Sequence, residues 1–318
     1  MPDLRHSDKP HGPVSGRPLV VGIGEFLWDL FPGGAAMGGA PANFTCHAAA
    51  LGADARLVSR VGNDAEGERL LHSLESHGVN RGAVSIDPVR PTGSVSVEVM
   101  ADGQPHFTIH PDVAWDHLVA DAAGREAFAA ADAVCFGTLA QRSAASAGAI
   151  RELLDCAGPG TLRIFDVNLR GTFFTTEMLL GSLELADVVK LNDGELAKIV
   201  DILGIGGAVK QQLASLAERY QLRLIACTLG AEGSILHDGA AWAEHSGCTV
   251  ELRDTVGAGD SFLAATTLGL LGGWPLDAIS EVANEVAAYV CSCHGATPAL
   301  PEYLRARFRK DLPLPASA

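Results

Sequence analysis

The feature that most constrains this chain is an alternation of short apolar runs with helical stretches along most of its 318 residues. Strand-like runs fall at residues 19–21, 57–61, 133–136, 162–166, 188–191 and 222–228, with helical stretches between them. Two of the helices are closed by glycine, residues 42–51 by Gly52 and residues 66–77 by Gly78. Glycine takes the left-handed turn that ends a helix without steric cost. Repeated strand–helix–strand order builds parallel pairing, and a parallel sheet needs helices over both faces. The fold class expected is therefore α/β, a three-layer α/β/α arrangement around a mainly parallel sheet. A composition of 47 % hydrophobic and 19 % charged residues suits a sheet buried on both sides.

No linker-like change of composition interrupts residues 19–312, so a single domain is expected there. Residues 1–18 are polar and aperiodic and read as a disordered tail, with a second tail at residues 313–318. One segment breaks the rhythm. At residues 92–100, Val95, Val97 and Val99 alternate with Ser94, Ser96 and Glu98, the period of a half-exposed strand. Asp102-Gly103 gives a turn signal, and residues 104–110 read as the returning strand. A hairpin inserted in a parallel domain stands apart from the central sheet. It is expected to form a small β lid over residues 92–113, of the kind that closes over a site to exclude water.

The formal charge of −15 argues against nucleic acid, whose binding depends on lysine and arginine neutralising phosphates. It leaves room for a nucleotide held by backbone amides and Mg²⁺. No apolar run reaches membrane-spanning length and no signal segment opens the chain, so no membrane partner and a cytoplasmic location are expected. Seven cysteines in a long chain do not suggest a disulfide framework. Cys291 and Cys293 alone lie close together, a weak metal signal, and His106 and His110 read as surface residues. No G-x-x-x-x-G-K-[ST] is present, and after Gly22-Ile23-Gly24 the third glycine of a dinucleotide fingerprint is replaced by Leu27. H-E-x-x-H and G-x-S-x-G are also absent.

The strongest chemical segment is DTVGAGDSF at residues 254–262. Gly257, Ala258 and Gly259 let consecutive amides approach a ligand, and a helix begins just after them. Together they make an anion hole that needs no lysine. Asp260, in the first turn, reads either as a helix cap, the commonest role for Asp there, or as a base beside bound phosphate. A second cluster is GGAPAN, with Gly38, Gly39 and Asn43, which alone reads as a turn entering a helix.

In order, spacing and flanks these two segments resemble the two signatures of the PfkB, or ribokinase-like, carbohydrate kinase family. The first extends over residues 38–71, and the likeness covers residues 20–301. The resemblance implies a ribokinase-like fold and an ATP-dependent kinase with Asp260 as base and Gly257, Ala258 and Gly259 as anion hole. It implies Asp29, Gly38, Gly39 and Asn43 as sugar ligands, Asp29 following the first strand. The stretch FDVNLR resembles that of fructokinase-like members and places Arg170 near sugar or γ-phosphate. Asn192 and Glu195 match an N-x-x-E motif that organises Mg²⁺ through water, although N-x-x-E is also a capping box. Thr228, Gly230 and Gly233 match the nucleotide-side turn, and Asn284 falls where adenine is contacted. Asp254 and the carbonyls of Val256, Val290 and Gly295 match a K⁺ site, with Ala299 where some relatives carry serine.

Ala40 stands where ribokinases carry lysine, which points away from ribose. The Ala-Trp-Asp at residues 114–116 resembles a fructokinase-like subgroup. The expectation is a kinase of a small neutral sugar, fructose first. 2-Keto-3-deoxygluconate, ribose or a nucleoside is the alternative within the family, and a non-catalytic sugar-binding regulator the alternative outside it. Lid strands often pair between subunits in that family, so the resemblance also implies a homodimer as an option.

Overall fold

The structure, a computed structural model, describes residues 16–31, 33–99 and 105–309. The first strands are β1 (Leu19–Ile23), β2 (Leu27–Phe31), β3 (Gly34–Gly38), β4 (Asp54–Gly62), β5 (Val84–Asp87), β6 (Gly93–Val99) and β7 (Pro105–Ile109). They are followed by β8 (Ala133–Gly137), β9 (Leu162–Asp166), β10 (Val188–Asn192), β11 (Leu224–Thr228), β12 (Ser234–His237) and β13 (Trp242–His245). Nine of these form one sheet in the order β13-β12-β11-β10-β9-β8-β1-β4-β5. All its pairings are parallel except those of β12 with β11 and β13.

The helices are α1 (Ala40–Ala50), α2 (Ala65–Ser76), α3 (Ala122–Ala130), α4 (Ala144–Cys156) and α5 (Thr176–Leu185). After them come α6 (Asp193–Leu203), α7 (Val209–Tyr220), α8 (Ala258–Leu271), α9 (Leu276–Cys291) and α10 (Glu302–Ala306). Alternate strand residues feed two separate cores. Val21, Val134 and Phe165 pack with Phe128, Ile150, Leu183, Ile199 and Leu216 of α3 to α7. Val20, Cys135 and Ile164 pack with Phe44, Leu70, Phe262 and Val286 of α1, α2, α8 and α9. Side chains that alternate in direction along a strand are what give a doubly covered sheet its unbroken apolar runs. The three-layer α/β/α architecture expected from the sequence is therefore present.

The expected two-stranded lid is larger than the hairpin. β6 and β7 pair antiparallel, but β2 pairs parallel with β6 and antiparallel with β3, giving a four-stranded sheet in the order β3-β2-β6-β7. Asp29, which follows the first strand as expected, lies within β2, opposite Ala36 and Val95. The segment Gly34–Gly38 contains only glycine, alanine and methionine, residues with little strand preference, so it carried no readable period. Thr92 anchors the small sheet to α2. Its amide and hydroxyl donate to Asp64 at 2.8 and 2.6 Å, and the same carboxylate caps α2 through the Gly67 amide at 2.8 Å.

Of the expected tail at residues 1–18, the last residues are held, Arg17 donating to the Gly52 carbonyl and Pro18 accepting from the Asp54 amide. Residues 1–15, the Asp102-Gly103 turn and the tail at residues 313–318 lie outside the described residues. All seven cysteines are free. No helix among the described residues is long and apolar enough to cross a membrane.

Candidate active site

The two glycine signatures meet at the C-terminal ends of the central strands, where open α/β sheets form their ligand crevices. The Nδ2 of Asn43, in the first turns of α1, donates to Oδ2 of Asp260 at 2.8 Å across 217 residues of sequence. Gly257, with φ of 80°, stands immediately before α8, and a Cβ there would overlap the Ala296 carbonyl. No other residue fits that position without strain. Of the three expected amides, that of Ala258 closes a turn onto the Thr255 carbonyl at 3.3 Å. The amide of Gly259 belongs to the first turn of α8, where the helix itself supplies no acceptor. Asp260 is buried, and burial pushes its carboxyl up to about 6. Nearby Asp166 adds to the rise, while Lys190, the Asn43 bond and Arg170 oppose it.

Lys190 corrects the expectation of an anion hole without a lysine. β9 and β10 set Lys190 beside Asp166 in parallel register, and its Nζ donates to Asp166 Oδ1 at 3.1 Å with both groups buried. The ammonium sits 2.8 Å from where a Cβ on Gly259 would stand. Its place beneath the first turn of α8 comes from tertiary register, so the DTVGAGDSF segment alone could not disclose it. The signal in the sequence was Lys190 itself, a cation in an otherwise apolar strand beside the N-x-x-E motif.

The residues leading into α1 bring Gly38 against Asp29, and Arg170 acts on the same carboxylate. A Cβ on Gly38 would overlap the Asp29 carboxylate, and one on Gly39, at φ of 107°, the Glu25 carbonyl. Desolvation raises Asp29 to about 6 against the pull of Arg170. Arg170 is exposed, and its charge acts on Asp29, Glu25 and Asp260 alike.

Glu25 was missed by the sequence reading. It is buried, its Oε2 has no hydrogen-bond partner among the described residues, and desolvation pushes it up to about 7. It lines a cavity of about 10 Å³ with Thr138, Asp166 and Asn168, room for about one water.

Asn192 and Glu195 form the capping box that N-x-x-E allows. The Glu195 amide donates to Asn192 Oδ1 at 2.8 Å and the Asn192 amide to Glu195 Oε2 at 2.9 Å. The other oxygen, Oε1, accepts from the Leu169 amide at 2.9 Å and so also holds the loop leading to Arg170. Each carboxylate oxygen keeps acceptor capacity for a water on a metal. Thr228 ends β11, and Gly230 and Gly233 take φ of 60° and 86° in the turn after it. Asn284 turns inward. Its Nδ2 donates to Ser234 Oγ at 2.8 Å and to the Ser280 carbonyl at 2.7 Å, so those donors are engaged within the protein. Asp254 accepts from the amides of Val256 at 3.0 Å and Gly295 at 3.1 Å, which brings these members of the expected cation site together. The Val290 carbonyl accepts from the Cys293 amide at 3.0 Å. Among the described residues no group of three or more His, Cys, Asp and Glu is arranged to hold a metal directly.

Comparison with known proteins supplies a family. The model for "pfkB family carbohydrate kinase" matches residues 34–303. An uncharacterized sugar kinase of Pyrococcus horikoshii is 30 % identical over 288 residues, covering 87 % of this chain and 88 % of its own. Its crystal structure aligns with a TM-score of 0.78 over 87 % of this chain and 93 % of that one. A fructokinase of Salmonella typhimurium is 28 % identical over 298 residues, 88 % of this chain and 95 % of the relative. A ribokinase-like structure from E. coli shares the fold, with a TM-score of 0.81 at 22 % identity over 92 % of this chain and 98 % of that one.

Proposed function

Because the chain belongs to the pfkB family of carbohydrate kinases, we propose that it transfers the γ-phosphoryl group of ATP to a hydroxyl of a small neutral sugar, most specifically fructose. The observation that carries this reading is the Asn43–Asp260 hydrogen bond, which joins a buried carboxyl to both glycine cradles. Asn43 engages Oδ2, which leaves Oδ1 of Asp260 to take the proton from the attacking hydroxyl. The glycines at 257 and 259 let the start of α8 approach the transferring phosphoryl, where amides and the helix dipole favour negative charge. Asp29 accepts hydrogen bonds from sugar hydroxyls across the crevice. Mg²⁺, when bound, neutralises charge on the ATP phosphates, and Glu195 would reach it through water. Alignment and charge stabilisation supply most of the rate of phosphoryl transfer. The small sheet that carries Asp29 serves as the lid that excludes competing water.

ATP as donor is supported by the ATP complex of the P. horikoshii sugar kinase, which is 28 % identical in that alignment. The fructokinases of maize and Salmonella, each 28 % identical, support fructose. The charge balance supports a neutral acceptor. A sugar phosphate needs cationic clamps, whereas Lys190 is committed to Asp166 and the first signature offers neutral Ala40 and Pro41.

The test is kcat/KM for fructose, ribose, 2-keto-3-deoxygluconate, adenosine and fructose 6-phosphate, read as ADP release with Mg-ATP saturating. Fructose should lead. Fructose 6-phosphate or adenosine ahead by about tenfold would overturn the neutral-sugar assignment. Sugar binding without turnover of any acceptor would favour a regulator.

A further inference from the structure

We propose that Lys190 is a positioning residue for the chemistry: its ammonium, clamped to Asp166 beneath Gly259, keeps Asp260 ionised at neutral pH. The inference rests on Asp260 being the base. The geometry behind it is direct. Lys190 Nζ lies 3.1 Å from Asp166 Oδ1 and 2.8 Å from the Cβ position of Gly259, the residue before Asp260. The groups that act on Asp260 come from several elements. Asp166 at the end of β9 and Glu25 after β1 favour its neutral form. Lys190 on β10, Asn43 on α1 and Arg170 after β9 favour the carboxylate. Cys135 on β8 is buried among the same charges, and burial holds its thiol protonated.

The two cations are not equivalent. Arg170 is exposed, so solvent and salt weaken its field. Lys190 is 6 % exposed, and its field passes through protein. A buried lysine without partners would surrender its proton. Here Asp166, Glu195 and Asp260 oppose that loss and hold Lys190 charged. The placement also disfavours a merely stabilising role. An ammonium beside the N-terminal turn of a helix opposes the helix dipole, and a cation there for stability would stand at the other end. Without Lys190, Asp166 and Asp260 would face one another as like charges, and one of them would hold a proton.

The test is the pH profile of kcat/KM from pH 5 to 9 with Mg-ATP saturating, for wild type, Lys190→Met, Asp166→Asn and the double variant. In Lys190→Met the acid limb should move up by about one pH unit or more, the size of a close charge's effect. In Asp166→Asn it should move down. In the double variant, which removes charge and countercharge together, it should return towards wild type. An acid limb that Lys190→Met leaves in place, or that the double variant does not bring back, overturns the proposal. Should Lys190→Met fail to fold, Asp166→Asn decides alone, and an unmoved limb there overturns it. Asp260→Asn separates this from the parent reading. An inactive Asp260→Asn with an unmoved limb in the Lys190 variant sinks only the role of Lys190, whereas an active Asp260→Asn sinks the base assignment itself.

Discussion

Glu25 should make the ligand-free protein lose stability as pH rises towards neutrality. Its carboxyl titrates near 4.5 when exposed and at about 7 in the folded chain, where burial disfavours the charged form. Between those values the folded state holds a proton that the unfolded state has released, so stability falls with rising pH. At about 1.36 kcal/mol per unit, a rise from 4.5 to about 7 corresponds to about 3.4 kcal/mol in full, of which about 2.5 kcal/mol falls between pH 5 and 8. His47 acts in the opposite sense. Buried and lowered from 6.5 to about 4, it stays neutral while the unfolded state takes up a proton, so its contribution is lost as pH falls. The wild-type curve therefore contains both slopes, Asp29 and Asp260 adding to that of Glu25, and the difference between Glu25→Gln and wild type isolates the part due to Glu25. Urea unfolding of both proteins at pH 5 and pH 8, without nucleotide or sugar, measures the difference. The stability of Glu25→Gln relative to wild type should rise by about 2.5 kcal/mol between the two pH values. A relative stability that does not change with pH would refute the buried, proton-holding state of Glu25.

Two further substitutions test other contacts. Glu195→Gln should raise the Mg²⁺ concentration needed for half-maximal rate, because the carboxylate beside the Asn192 and Leu169 amides loses its charge. A lower Tm with an unchanged Mg²⁺ titration would assign Glu195 to capping alone. Arg142→Ala should cost about 3–5 kcal/mol in urea unfolding, as breaking a buried ion pair does. Arg142 meets both oxygens of buried Asp116, at 2.7 and 2.8 Å, and stacks 4.1 Å from the Trp115 ring centre. A loss below about 1 kcal/mol would show that this pair is solvated.

The central sheet was legible because its strands are buried on both faces, so runs such as Leu162–Asp166 and Val188–Asn192 stand out without any period. Glycine-closed α1 and α2 were legible for the same local reason. β2 and β3 were not, since Gly34–Gly38 offers no side-chain alternation and gains its strand character only by pairing with β2. Gly257, Gly39 and Asp260 could be picked out because backbone crowding and a helix start leave a mark in sequence. Glu25 leaves none, and Lys190 leaves only its place as a cation in an apolar strand. What matters about each is which charges surround it, and that depends on the register of β10 against β9 and on the loop after β1. Asn192 and Glu195 matched both a metal motif and a capping box in the sequence. The structure displays the box directly.

The most direct measurement of the central claim is single-turnover phosphoryl transfer by Asp260→Asn, with binding of ATP and fructose measured on the same protein. Asp260 does not cap α8, whose N-cap is Gly257 without a side-chain bond, and the carbonyl oxygen of an Asn can still accept from Asn43, so folding and binding should persist. If Asp260 takes the proton, the rate should fall by about 10²–10⁴ while both ligands bind with nearly wild-type affinity. Transfer at close to the wild-type rate would contradict the claim and leave Asp260 only as the acceptor of the Asn43 hydrogen bond.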